Sequence, residues 1–144
     1  MATVYKTHVF TFSAAHRLFN SECDEKTNDE MFGKCRNTHG HDYGLDITLK
    51  GVPNPHSGLL VSEIAFDNCV QKLISEYHQA GEINDMAVFD EVVATTENMC
   101  KHFWERLLEP LQQMVASDIG AGTDVTLFQI MITETHRNTF AFWG

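Results

Sequence analysis

Three histidines are spaced so that they could share one metal ion. His39 and His41 are separated by Gly40, and on a β-strand residues at i and i+2 point to the same face, a few ångströms apart. His16 lies at the end of the preceding predicted strand and could supply a third nitrogen if the two strands pair antiparallel. Three histidine ligands with one open position are the recurring arrangement of a catalytic zinc site. The alternative is that the histidines simply lie on the surface, since His-x-His also occurs by chance.

Cys35 is a second candidate for chemistry. It lies four residues before His39, on the segment that enters the predicted metal strand, and Lys34 and Arg36 flank it. A thiol beside a metal ion and two cations can act as a thiolate, and general base catalysis needs a group that moves protons in this way. The same thiol could instead be a fourth metal ligand, which would close the site and make it structural. Spacing alone leaves both roles open.

The remaining histidines and cysteines show no ligand-like spacing. Five histidines are predicted to be solvated or packed rather than metal-bound: His8, His56, His78, His102 and His136. The four cysteines form no Cys-x-x-Cys pair, so a disulfide framework is not expected. Cys69 and Cys100 lie in predicted helices and are expected to be buried, because free cysteine is among the most buried residue types.

The periodicity of apolar residues predicts the order strand, strand, helix, helix, strand, strand. The predicted elements are strands at 4–12 and 42–50, helices at 61–77 and 96–114, and strands at 125–133 and 139–143. Residues 20–36 are polar without apolar periodicity and are predicted to form a long loop. Four strands with two helices on one face form an α+β layer.

The composition is that of a folded protein that is not expected to bind nucleic acid, although a small anionic substrate remains compatible with it. The chain has 144 residues, of which 43% are hydrophobic and 21% charged, and this predicts a single domain spanning 1–144. A formal net charge of −10 opposes direct binding of nucleic acid. No apolar run approaches the roughly 20 residues that cross a bilayer, so no membrane contact is expected. The N-terminus shows no targeting pattern, and the expected location is the cytoplasm.

Four short motifs, spread over most of the chain, carry a specific resemblance. They are Phe-Ser-Ala-Ala-His-Arg-Leu at 12–18, Gly-Lys-Cys-Arg-Asn-Thr-His-Gly-His-Asp-Tyr at 33–43, Thr-Thr-Glu-Asn at 95–98 and Thr-Glu-Thr at 133–135. In this order, and on the elements predicted for them, the motifs resemble those of the 6-pyruvoyl-tetrahydropterin synthase family. That family includes the bacterial 6-carboxytetrahydropterin synthases of the queuosine pathway.

The resemblance implies a fold, an assembly and an activity. The fold would be the tunnelling fold (ββααββ), in which four-stranded antiparallel sheets of several subunits close into a barrel. The assembly would be a homo-oligomer, typically a hexamer of two trimers with active sites between subunits; apolar residues on both faces of the third strand agree with such contacts. The activity would be that of a zinc-dependent carbon–oxygen lyase, with zinc at His16, His39 and His41, releasing triphosphate from 7,8-dihydroneopterin triphosphate. The Cys-x-x-x-His-Gly-His spacing is more similar to the 6-carboxy enzymes than to the 6-pyruvoyl ones.

The resemblance also implies roles for individual residues. Cys35 corresponds to the family's proton-abstracting thiol, and Glu134 to the carboxylate that binds the pterin ring. Thr95, Thr96 and Glu97 are assigned to substrate contact, although a helix N-terminus favours the same residue types for capping.

Two departures from the family's pattern concern proton transfer. The Asp-His pair that completes the proton relay is missing, and Gln79-Ala80 stand at that place before Ile83-Asn84. His78 could substitute if the register slides by one residue. Ser62 stands where many members have an acidic residue. The alternatives are therefore a paralogue acting on another pterin side chain, or a zinc- and pterin-binding module without turnover.

Overall fold

The computed structural model describes residues 2–144, which form four strands and three α-helices. The elements are β1 (Val4–His16), α1 (Glu25–Phe32), β2 (His39–Val52), α2 (Glu63–Ala80), α3 (Thr96–Ser117), β3 (Thr123–Thr135) and β4 (Asn138–Phe142). The strands form one antiparallel sheet in the order β1-β2-β3-β4. The predicted four-stranded α+β fold is confirmed. None of the helices within residues 2–144 combines the length and apolar character that crossing a membrane requires.

The core lies between the sheet and the pair α2 and α3. Alternate residues of a strand point to one face, and the inward residues of β1 and β2 are buried. The buried residues of these two strands include Phe10, Phe12, Tyr43, Leu45, Ile47 and Leu49. From the helices, Tyr77 and Phe103 stack with their ring centroids 4.9 Å apart. Each such buried side chain contributes about 1.5–3 kcal/mol to stability. This core therefore holds β1 and β2 in place relative to the helices.

β3 changes its inward-facing residues halfway along. Its buried residues are Val125, Leu127, Ile130 and Ile132. Leu49 of β2 lies opposite Leu127, whereas its neighbour Thr48 lies opposite Gln129. Phe128 is thus the extra residue of a β-bulge, and one extra residue reverses which alternate side chains face the core. Part of the apolar pattern on both faces of this strand therefore reflects packing in the core of one subunit, and that part requires no contact between subunits.

Residues 20–36 contain a helix, and the prediction of a loop there was wrong. α1 begins after Asp24, whose carboxylate accepts a hydrogen bond from the backbone N–H of Thr27 at 2.7 Å. Asn28 is fully buried and donates to three backbone carbonyls of the turn before it. Side-chain capping and polar contacts hold this helix instead of an apolar face, so periodicity could not reveal it. The N-cap pattern at Asp24 was the available signal.

The ends of the other helices also differ from the predicted ones. α2 begins two residues later than predicted, because the side chain of Ser62 caps it by accepting a hydrogen bond from the backbone N–H of Ala65 at 3.3 Å. α2 ends before Gly81, which has a φ of 75° and so adopts a conformation that favours glycine. The cysteines are free, as predicted. Cys100 is buried, but Cys69 is only partly buried because it lines the groove between α2 and α3.

A buried pair of polar side chains joins α2 to α3. The Tyr77 hydroxyl lies 2.6 Å from Nδ1 of His102, and the two residues are 1% and 6% exposed. Burial, with a smaller effect of the nearby Arg106, lowers the pKa of His102 from 6.5 to about 4. A neutral imidazole accepts the hydrogen bond from Tyr77, whereas protonation would remove that acceptor and bury a charge.

We expect the free energy of unfolding to fall as the pH is lowered from about 6.5 toward 4. The pKa of His102 is lower in the folded state, so the unfolded state binds more protons in this range; the contribution is complete above 6.5 and is lost as the pH falls through about 4. It amounts to at most about 3 kcal/mol. Urea unfolding followed by circular dichroism between pH 7.5 and 4.5 measures it.

Burial also lowers the pKa of His8 and of His16, so the test compares variants rather than absolute slopes. His102→Gln should flatten the pH dependence, and His56→Gln, which changes an exposed histidine, should not. Equal slopes in the parent and the His102→Gln variant would contradict the assignment.

Candidate metal centre

The three predicted metal ligands meet where β1 ends and β2 begins. In the antiparallel register His16 lies opposite His39, and His41 follows two residues along the same face of β2. One ligand nitrogen of each ring lies within 4.8 Å of the other two. β2 is longer than predicted and includes both His39 and His41. The structure thus brings the three side chains together as the strand argument required.

Backbone carbonyls orient two of the three imidazole rings and leave their Nε2 atoms free. Nδ1 of His16 lies 2.7 Å from the carbonyl oxygen of Ala94, and Nδ1 of His39 lies 2.7 Å from that of Asn37. A ring that donates from Nδ1 leaves Nε2 as the free acceptor that a metal ion needs. Burial lowers the pKa of His16, which keeps that ring neutral.

The free nitrogens fit a bound cation. Nε2 of His16 and Nε2 of His41 are buried and have no hydrogen-bond partner. A buried polar atom without a partner is destabilising by about 1–3 kcal/mol. Three converging imidazole nitrogens are a donor set suited to a metal ion, which would satisfy them.

Glu134 lies beside the triad. Its Oε1 is 3.7 Å from Nε2 of His16 and 3.6 Å from Nε2 of His41, and its side chain is 15% exposed. The hydroxyl of Thr96 donates a hydrogen bond to the same oxygen at 2.8 Å. The bulge at Phe128 contributes to this orientation, because it sets which residues of the second half of β3 point inward; the pairing of β3 with β4 is also irregular between Thr133 and Thr135. The carboxylate is therefore positioned to receive N–H donors or a positive charge.

Tyr43 lies beside His41 in the site, and the sequence analysis did not identify it as a site residue. The residue is fully buried, its ring centroid is 5.4 Å from that of His41, and it stacks on Phe12 at 5.0 Å. Burial, together with the charge of Glu134, raises the pKa of Tyr43, so the hydroxyl remains a donor. This hydroxyl lies beside Thr96 without forming a well-aligned hydrogen bond. Its position two residues after His41 on the same strand face was the available signal.

Cys35 is separate from the cluster of ligand atoms. It is partly buried in the 3₁₀ turn Gly33–Arg36, and its carbonyl oxygen accepts a hydrogen bond from the backbone N–H of Leu18 at 2.8 Å. This contact packs the turn against the segment that follows His16. Within residues 2–144, the group of side chains able to share an ion contains the three histidines and not Cys35. A closed site with a fourth cysteine ligand from the same subunit is thus disfavoured.

The cations beside Cys35 are not equivalent. The Arg36 guanidinium forms ion pairs with Glu25 and Asp29 of α1. α1 therefore compensates the charge of Arg36. The expectation that both flanking cations provide local positive charge holds only for Lys34, which is exposed.

Three other predicted site residues occupy different positions. The Thr95 hydroxyl caps α3 by accepting a hydrogen bond from the backbone N–H of Asn98 at 3.3 Å. Glu97 is exposed in the first turn of α3, and His78 is exposed in the last turn of α2. Within residues 2–144, neither Glu97 nor His78 shares an ion pair or a side-chain hydrogen bond with the triad.

The fold and the histidine cluster define an α+β protein with a candidate metal centre at one end of its sheet. Comparison with known proteins identifies its family. The chain belongs to the 6-pyruvoyl tetrahydropterin synthase family, whose model matches residues 4–144. The resemblance carried by the four sequence motifs is confirmed, and membership of this family supports a role in pterin synthesis.

Relatives and solved structures agree over nearly the whole chain. The 6-pyruvoyl tetrahydrobiopterin synthase of Poecilia reticulata is 29% identical over 143 residues, covering 97% of this chain and 90% of that protein. The protein of the same name from Homo sapiens is 28% identical over 137 residues, covering 93% and 87%. The structure of 6-pyruvoyl tetrahydropterin synthase from Caenorhabditis elegans superposes with a TM-score of 0.84 at 28% identity, covering 100% of this chain and 97% of that chain.

Proposed function

We propose that this protein is a zinc-dependent carbon–oxygen lyase that acts on 7,8-dihydroneopterin triphosphate and releases triphosphate. The observation that carries the proposal is the convergence of one nitrogen from each of three histidines beside a carboxylate, in a chain of the 6-pyruvoyl tetrahydropterin synthase family. The family supports a pterin substrate, and the all-nitrogen donor set supports zinc.

His16, His39 and His41 would hold the zinc ion through Nε2. The backbone carbonyls of Ala94 and Asn37 fix the orientation of two of these rings, and such partners typically strengthen metal binding. When bound, zinc polarises substrate hydroxyl groups and so acidifies the neighbouring C–H bond.

Glu134 would bind the pterin ring. The amino group and the adjacent ring N–H of a pterin can donate two parallel hydrogen bonds to one carboxylate, which is a charge-assisted pair. Thr96 restrains the carboxylate, and low exposure strengthens such a bond. The substrate would then lie with its ring at Glu134 and its side chain at the metal.

Cys35 would remove the proton from the substrate side chain. Its turn packs on the segment that follows His16, and it is not needed as a ligand. His78 and Glu97 are exposed and form no side-chain hydrogen bond or ion pair with the triad within residues 2–144, so a role for either could come from an active site shared with a neighbouring subunit. The open face of the sheet supports a homo-oligomer, which we infer to be a hexamer: Tyr5 and Val9 on that face are 59% and 70% exposed.

Two products are compatible with the site, and each has its own support. The names of the family and of its relatives favour a 6-pyruvoyl-tetrahydropterin. The short spacing between Cys35 and His39 favours a 6-carboxytetrahydropterin and hence a place in queuosine synthesis. The 6-pyruvoyl product keeps the three side-chain carbons, whereas the 6-carboxy product requires the loss of a two-carbon fragment.

The decisive experiment incubates the zinc-loaded protein with 7,8-dihydroneopterin triphosphate and identifies the products by mass spectrometry. We expect free triphosphate together with one of the two tetrahydropterins. A different pterin product would identify a divergent paralogue. Tight pterin binding without any product would identify a binding module and overturn the lyase assignment.

A further inference from the structure

The two strand ends that carry the triad are joined by a segment that follows α2. Oε1 of Glu82 accepts a hydrogen bond from the Thr38 hydroxyl at 2.9 Å and lies 3.8 Å from Nε of Arg17. Thr38 directly precedes His39, and Arg17 directly follows His16. One carboxylate therefore contacts the chain next to two of the three metal ligands.

The same segment holds the backbone on both sides of His16. Ala15 forms a parallel β-bridge with Glu82. Asn84 pairs with the backbone of Arg17 in both directions: the Arg17 N–H donates to Oδ1, and Nδ2 donates to the Arg17 carbonyl, each at 2.9 Å. Ile83, between the two polar residues, is fully buried and anchors the segment in the core.

These contacts lie just beyond the last residue pair of the β1–β2 ladder. The β1–β2 ladder ends at the pair His16 and His39, so no further ladder hydrogen bonds restrain these two residues. A metal site requires its ligands to be held within about 0.5 Å of the productive geometry. The contacts of Glu82 with Thr38 and Arg17 link the end of β1 to the start of β2 just beyond the last pair of the ladder.

We propose that Glu82 is a positioning residue of the metal centre, which fixes His16 and His39 relative to each other without touching the ion. This inference rests on the proposed function, because it assumes that the triad binds a metal. Glu82 lies just after the end of α2, two residues beyond Gln79-Ala80, where the Asp-His pair is missing. The side chain of Glu82 is 27% exposed and that of Arg17 is 48% exposed, so their ion pair adds little to overall stability. Its principal effect is local.

The test uses Glu82→Ala and Glu82→Gln in the full chain. Zinc affinity is measured by competition with a chelator, the ligand geometry by the visible absorption of the Co²⁺-substituted protein, and stability by urea unfolding of the metal-free protein. We expect Glu82→Ala to weaken zinc binding by about 10–100-fold and to alter the cobalt spectrum, while the metal-free unfolding midpoint stays unchanged. Glu82→Gln keeps an oxygen acceptor for Thr38 and should restore most of the affinity.

Glu91→Ala is the matched control, since it removes an exposed carboxylate from the same connection between α2 and α3. Parental affinity and an unchanged cobalt spectrum in Glu82→Ala would overturn the inference. A loss of affinity accompanied by a comparable loss of metal-free stability would assign Glu82 to general folding and overturn it as well. Failure of the parent protein itself to bind zinc or cobalt would instead contradict the proposed function.

Discussion

Replacement of His41 by alanine should abolish tight metal binding while the protein remains folded. Two nitrogens would be left, and the loss should exceed the 10–100-fold effect of removing a supporting partner. The His41 side chain is 16% exposed and its Nε2 has no partner in the protein, so its removal breaks no internal hydrogen bond of that atom. Metal content after gel filtration and a zinc dissociation constant measure the effect.

Two comparisons make this result specific. His56→Ala changes an exposed histidine and should keep parental zinc affinity. Glu134→Gln should keep the metal but weaken pterin binding, because an amide cannot form the charge-assisted pair with the pterin. Stoichiometric zinc in the His41→Ala variant would show that the triad is not the metal centre.

Replacement of Cys35 by alanine should remove turnover without removing zinc. Loss of a general base lowers kcat by about 10²–10⁴-fold, whereas the cluster of side chains that could hold a metal does not include Cys35. The expected result is a full complement of zinc, unchanged pterin affinity and almost no triphosphate release from 7,8-dihydroneopterin triphosphate. Rates under substrate saturation, together with metal analysis of the same sample, provide the measurement.

Cys23→Ala serves as the matched control for the thiol. Cys23 is also partly buried and precedes α1, so it tests for non-specific effects of losing a sulfur atom near this region. A Cys35→Ala variant with parental kcat would exclude Cys35 as the base. A variant that loses zinc along with activity would instead support a ligand role and contradict the open coordination position.

The cluster of three histidines was predictable from the sequence because it depends on short-range strand geometry. His39 and His41 share a face through the two-residue period of a strand, and His16 needs only an antiparallel neighbour to meet them. The supporting residues could not be predicted in the same way. Glu82 and Thr38 are 44 residues apart, and Asn84 and Arg17 are 67 apart, so their contacts depend on the packing of the whole domain.

Periodicity failed where polar contacts or irregular pairing determine the structure. α1 has no apolar face toward the core and is held by its cap, by Asn28 and by the ion pairs of Arg36. In β3, the bulge lets apolar residues at odd positions before it and at even positions after it face the same core. In the sequence, these residues appeared to lie on opposite faces of the strand. The resemblance to a known family compensated only for the failure in β3, since it pointed to Glu134 without requiring knowledge of which face each residue of the strand occupies.

Because of the extra residue at Phe128, the side chains that reach the site depend on the number of residues in β3 as well as on their types. Removing one residue between 128 and 133 would keep every functional side chain in the sequence and yet turn Glu134 to the opposite face of the sheet. A neighbouring threonine, Thr133 or Thr135, would then face the histidines. Along this strand, a substitution changes one side chain, whereas an insertion or deletion of a single codon would exchange the carboxylate for a hydroxyl.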